Sequence, residues 1–144
     1  MNVFFLSRLP SLWWWGVRVR QLSVHSCQTT IPYSWRTQNP FRSTYFAAQA
    51  GAAELSTGLM ALLAVHSQPQ PVSMLITGMK GEFIKKATST ITFTCQEGQL
   101  IQEAVQQALL TGQPQVVTIN TQGVQASGEL VSSFAFTWSF KTKG

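Results

Sequence analysis

Between Arg42 and Lys80 the chain carries a single formally charged residue, Glu54. Residues 43–66 of that stretch read STYFAAQAGAAELSTGLMALLAVH, with no proline, many good helix formers and an apolar or small residue at nearly every turn. Ser43 or Thr44 can cap the start, and Gln68-Pro69-Gln70-Pro71 stops the helix at its far end. A helix apolar all round is either buried in protein or spans a membrane. The length suits a membrane span, but a central Glu costs roughly 2.5–3.5 kcal/mol there even on insertion scales. Ala, Gly and Ser supply little transfer energy to offset it. The neighbouring segments alternate like a soluble sheet, so the expected arrangement is a central helix wrapped by protein.

Those neighbours are strand-like. Val17 to about Arg36 is extended, with Cys27, Thr29, Ile31 and Tyr33 on alternate positions, and Asn39-Pro40 marks a turn. Strands are expected at Val72 to about Ala87, Thr88–Cys95, Gln115–Gln122 and Gly128–Lys141. In the last, Phe134, Phe136, Trp138 and Phe140 share one face, as in a half-buried antiparallel strand. Leu100–Leu110 reads as a short amphipathic helix ended by Gly112 and Pro114. With 144 residues, 44% of them hydrophobic, the chain suits one domain over 1–144 with a core of its own. The expected class is α+β: a curved antiparallel sheet around one long central helix, with an N-terminal helical arm and a short extra helix.

Ten Lys and Arg stand against five acids, all of them Glu. The excess favours an anionic partner, but cations so scattered argue against nucleic acid. Cys27 and Cys95 form no metal-binding pattern with His25 or His66, so no metal is expected. Two lone thiols suit a reducing compartment, hence the cytoplasm. The opening MNVFFLSRLPSLWWWGVRVR has no basic leader region, and Arg8 and Pro10 break its apolar runs, unlike a secretory signal. Its Phe4, Phe5, Leu6, Leu9, Leu12 and Trp13–Trp15 fit an arm docked over a hydrophobic surface. The alternative is peripheral membrane contact through the tryptophans, with Arg8, Arg18 and Arg20 near lipid phosphates.

Glu54 carries the functional interest. Burial disfavours a charged carboxylate and raises its pKa. A carboxylate kept at that cost is a candidate general base or nucleophile. The structural alternative is a Glu hydrogen-bonded to a partner or facing a wet interface.

A strand, then Asn, then a long Ala/Gly-rich helix with an acid fifteen residues after the Asn resembles the hotdog-fold acyl-CoA thioesterases of the PaaI-like type. Their motif runs approximately N-x-x-G-x-x-H-G-G-x-x-x-x-x-x-D/E, and Asn39 and Glu54 occupy its two ends. WWWGVRVRQL is similar to the opening helix and first strand, and Phe83-Ile84-Lys85-Lys86-Ala87 to the end of the family's second strand. The helix at Leu100–Leu110 with TGQPQVVTIN and GELVSSFAFTWSFK is similar to a poorly characterised thioesterase-like branch. The chain departs from the motif where Tyr45-Phe46-Ala47 replaces His-Gly-Gly and Arg42 replaces the earlier Gly.

The resemblance implies a hotdog fold and hydrolysis of an acyl-CoA thioester, with coenzyme A entering only as part of the substrate. The oxyanion donor falls at the Phe46 N–H with Asn39 nearby, and Glu54 is base or nucleophile. Thr57, Ser73 and Thr77 are the candidates for positioning water. Arg42, Lys80, Lys85 and Lys86 are candidates for the coenzyme phosphates. Met60, Met74, Met79, Phe134, Phe136 and Trp138 either line an acyl tunnel or fill the core. Glu54 lies eight residues beyond Phe46, roughly 12 Å along the axis, so one helix cannot bring both to one carbonyl. Two antiparallel helices from two subunits can, which predicts a homodimer or dimer of dimers. The competing functions are a non-catalytic acyl- or lipid-binding hotdog protein and a membrane-peripheral interaction protein.

Overall fold

The computed structural model describes residues 8–143. A short helix α1 (Pro10–Trp14) leads into strands β1 (Arg18–Leu22) and β2 (Cys27–Ile31), then the long helix α2 (Phe46–His66). Strands β3 (Val72–Phe83) and β4 (Ile91–Cys95), helix α3 (Gly98–Thr111) and strands β5 (Gln115–Gln125) and β6 (Leu130–Thr142) complete the order. The strands form one antiparallel sheet in the order β1-β2-β4-β5-β6-β3. This is the expected class, a sheet wrapped on one long helix.

The wrapping follows from side-chain size. α2 touches all six strands, and Ala48, Ala52, Ala53 and Ala61 are fully buried along it. Alanines let the sheet approach closely enough for polar bridges to form. Thr29 Oγ1 donates to the Ala52 carbonyl at 2.8 Å, the Ser56 and Thr121 hydroxyls meet at 2.8 Å, and Trp138 Nε1 donates to Thr57 Oγ1 at 3.0 Å. Opposite the sheet, α1 lies across Gly51, where an added Cβ would stand 2.9 Å from Leu12 Cδ2 and 3.2 Å from Trp15. α3 packs on α2 with β5 and β6. The helix long and apolar enough to cross a membrane is therefore a core helix. The arm docks through Leu9, Leu12 and Trp15, whereas Phe4, Phe5 and Leu6 lie outside the described residues.

The aromatic face of β6 is buried as expected, with Phe134 and Phe136 stacked at 5.8 Å between centroids. Met60 belongs to the same core, while Met79 points outward. Several boundaries differ from expectation: β3 ends at Phe83 rather than near Ala87, β5 runs on to Gln125, β6 starts at Leu130 and α3 at Gly98. The extended stretch from Val17 is a hairpin, turned where the Ser23 N–H donates to the Ser26 carbonyl and the Ser23 hydroxyl accepts the Ser26 N–H. β4 starts at Ile91, because Gln125 Oε1 takes the Thr88 N–H and holds 88–90 outside the ladder.

The hairpin sets the two cysteines, distant in sequence, directly across from each other on β2 and β4. Both are free and fully buried. Burial pushes the Cys27 thiol up to about 12 and Cys95 to about 11. Since the thiolate is the nucleophile, the folded protein should show no fast-reacting thiol towards Ellman's reagent at pH 8. Both thiols should titrate once guanidinium unfolds it.

Candidate functional site

The segment before α2 is a closed loop, pinned at its neck by a bridge between Gln38 and Thr44. Asn39 organises it. Its Oδ1 accepts the Phe41 N–H at 2.9 Å and the Ser43 N–H at 3.1 Å, and its Nδ2 donates to Ser43 Oγ at 3.0 Å. The turn puts Arg42 at φ 61, the only positive φ of a non-glycine among the described residues. That region costs an L-residue about 1–2 kcal/mol.

Neither expected cap is used. The Ser43 hydroxyl bonds Asn39, and Thr44 Oγ1 donates to the Ala87 carbonyl, because closing the loop and joining it to the 84–87 segment consume both. The N-cap is Tyr45, whose side chain makes no capping bond. The first N–H groups of α2, starting with Phe46, have no protein acceptor among the described residues, the condition that makes a helix start attract negative charge.

This helix start opens on a groove of about 540 Å³ lined by Asn39, Tyr45, Phe46, Gln49, Phe83, Lys85 and Lys86, among others. Phe46 stands edge-on to Tyr45 at 5.0 Å and to Phe83 at 6.4 Å, an aromatic collar at the mouth. Gln49, on the wall, donates to the Thr44 carbonyl at 3.3 Å, while its buried Oε1 has no partner. Sequence reasoning passed over Gln49; its signal is a second polar residue in the Ala-rich first turns.

Glu54 occupies a different cavity, about 110 Å³, with Leu9, Leu55, Gly58, Leu59, Leu62, Met74 and Trp138. The carboxylate has no hydrogen-bond or ionic partner among the described residues, and burial raises its pKa. Gly58 makes its room: a Cβ there would stand 3.2 Å from Glu54 Oε1 and 3.4 Å from Trp138. The two cavities share no lining residue, so one chain presents the Phe46 N–H and Glu54 separately.

Other candidates fall on both sides of this division. The Thr57 hydroxyl is buried next to Glu54, donating to the Glu54 carbonyl and accepting from Trp138. Ser73 and Thr77 bond carbonyls of β6, away from both cavities. Lys85 lines the groove and pairs with Glu129, and Lys86 lines it and reaches the Phe41 carbonyl at 3.4 Å. Lys80 and Arg42 line neither cavity; Lys80 pairs with Glu82 at 3.7 Å. Among the described residues no cluster of three or more His, Cys, Asp or Glu is placed to hold a metal.

Two variants test this geometry through stability. Arg42→Gly removes the strain, so the protein should gain about 1 kcal/mol, a melting rise of about 2–4 °C. A carboxyl whose folded pKa is raised binds more protons folded than unfolded, so stability falls as pH rises from the ordinary Glu range through the raised value. Glu54→Gln should therefore melt higher than wild type at pH 8, and the difference should vanish at pH 4 and below.

In the comparisons with known proteins, the domain of unknown function DUF4442 matches residues 1–140. No curated protein is significantly similar in sequence. Solved structures share the fold. A Pseudomonas aeruginosa protein of unknown function, named a probable thioesterase, superposes with TM-score 0.83 at 18% identity, covering 99% of this chain and 94% of that one. A thioesterase from the same organism, solved as a mutant, gives 0.75 at 16% identity over 99% and 91%. A Haemophilus influenzae thioesterase gives 0.72 at 13% identity over 98% and 89%. The chain belongs to the DUF4442 family and has the hotdog fold of these thioesterase-like structures.

Proposed function

We propose that the protein hydrolyses acyl-CoA thioesters at composite sites formed by two copies of the chain. The observation that carries this reading is Glu54, a half-buried carboxylate with no partner among the described residues, given space by Gly58 in an otherwise apolar cavity where burial raises its pKa. In the proposed reaction the free N–H groups at the α2 start of one protomer hold the thioester carbonyl oxygen as it gains charge. Glu54 of the partner subunit takes a proton from water, whose oxygen bonds the carbonyl carbon. The C–S bond then breaks, and the thiolate leaves and is protonated. Lys85 and Lys86 flank the groove where the coenzyme phosphates lie, and Asn39 holds the loop that shapes its entrance.

The dimer is proposed through β3. It is an edge of the sheet, twelve residues long, and its Leu75, Met79 and Phe83 are exposed. A long apolar edge strand is a template for pairing with another chain. The free, buried thiols agree with a cytoplasmic setting. One observation favours the second reading, a non-catalytic acyl-binding protein: Phe46 stands where the family motif has glycine and, with Phe83, narrows the groove mouth.

A panel of acyl-CoA esters of graded chain length separates the readings. Wild type should release free thiol, and Glu54→Gln should lower kcat by about 10²–10⁴. Equal rates for both remove Glu54 from the mechanism, and acyl-CoA binding without turnover establishes the second reading. Light scattering should find a dimer or larger; a strictly monomeric active enzyme ends the composite-site proposal.

A further inference from the structure

The charges are segregated along the chain. All five arginines precede Ser43, all five lysines follow Gly78, and the first acid is Glu54. The acids beyond it are elsewhere: Glu82 and Glu129 pair with Lys80 and Lys85, and Glu97 and Glu103 lie at α3. No arginine takes part in an ion pair among the described residues.

On this arginine-only part of the chain the aromatic residues divide. α1 turns Leu12 and Trp15 inward onto Gly51, and leaves Trp13 and Trp14 outward, 45% and 46% exposed. Trp35, at 76%, is the most exposed tryptophan described. Arg36 beside it lays its guanidinium 4.5 Å over the Trp14 ring, which joins α1 to the loop after β2. Arg8 and Arg18, both exposed, stand before and after α1. Packing accounts for Trp15 but not for the other three indoles.

We infer that the face carrying Trp13, Trp14, Trp35 and Arg36 docks on an anionic phospholipid surface. Indoles combine an apolar ring with an N–H donor and settle at the headgroup boundary. Arginine stacked on an aromatic ring keeps donors for phosphate oxygens. Arg36, which makes no ion pair among the described residues, supplies attraction to a negative leaflet. The cation–π contact holds both elements in one orientation.

Co-sedimentation of the whole protein with phosphatidylcholine vesicles, with and without about one third phosphatidylserine, tests this at low salt and at about 0.5 M. Wild type should pellet with the anionic vesicles only, with a blue shift of tryptophan emission, and salt should release it. Trp13→Ser/Trp14→Ser/Trp35→Ser should weaken the partition at least tenfold, and Arg36→Gln about fivefold. If the triple variant melts early, Trp35→Ser alone decides, since that side chain is almost free of packing. Wild type staying in the supernatant at low salt overturns the inference and leaves the face to a protein partner. Equal binding to neutral vesicles overturns it too, as do Trp35→Ser and Arg36→Gln proteins that bind like wild type. Thioester hydrolysis measured in parallel is independent of every one of these outcomes.

Discussion

The close approach between α2 and the sheet governs the rest of the molecule. It depends on alanines on the buried sides of the helix and on bulk supplied from the opposite wall by Phe93, Phe134, Phe136 and Phe140. With large residues on the sheet and small ones on the helix, the two surfaces interlock closely except at the cavity beside Glu54. The same closeness lets Thr29, Thr121 and Trp138 hydrogen-bond to the helix, which fixes its rotation as well as its depth. α1 and α3 cover part of what the sheet leaves, and the positions still open to solvent include Phe46 and Leu63. Most of its apolar composition follows from contact with the sheet and the two short helices.

Enclosure makes every polar group on α2 costly unless it is paired. Ser56 and Thr57 are paired within the helix and across to the sheet. The Glu54 carboxylate has neither kind of partner among the described residues, and Gln49 Oε1 is buried without one. These two groups lie on the first half of the helix, one at each cavity. Glu54 is half-buried and Gln49 spends its amide nitrogen on the Thr44 carbonyl, so at each cavity a polar oxygen is left without a protein partner among the described residues. Structure that opposes stability in this way collects at working sites.

Much of this was legible in the sequence. The helix, its proline stop, the alternation of Phe134, Phe136, Trp138 and Phe140 and the isolation of Glu54 are local patterns, and local patterns survive folding. The strand order, the facing of Cys27 and Cys95 and the capping of Gly51 by Leu12 and Trp15 are set by pairings between distant segments, which no local window contains. The cap expected from Ser43 or Thr44 shows the same limit. Each hydroxyl is well placed along the chain for α2, but Asn39 claims one and the Ala87 carbonyl the other. Lys80 and Lys85 look equivalent in sequence, yet only Lys85 lies on the groove, because β3 ends at Phe83 and the chain then bends past the helix start.

The departures from the thioesterase motif can be sorted by whether they touch the backbone. At Arg42 the backbone takes the left-handed conformation that glycine adopts without strain, so the loop geometry is present although the glycine is not. At Phe46 the N–H remains without a protein acceptor while the ring leans outward to Phe83. That substitution therefore leaves the proposed donor in place and changes the wall beside it. An aromatic wall with Lys86 and the Lys85–Glu129 pair beside it sets apolar surface next to charged groups at one opening, which fits the proposed substrate. The chemistry proposed for the helix start needs only its backbone, which any residue but proline provides; the side chains of Phe46 and Phe83 shape the opening that leads to it.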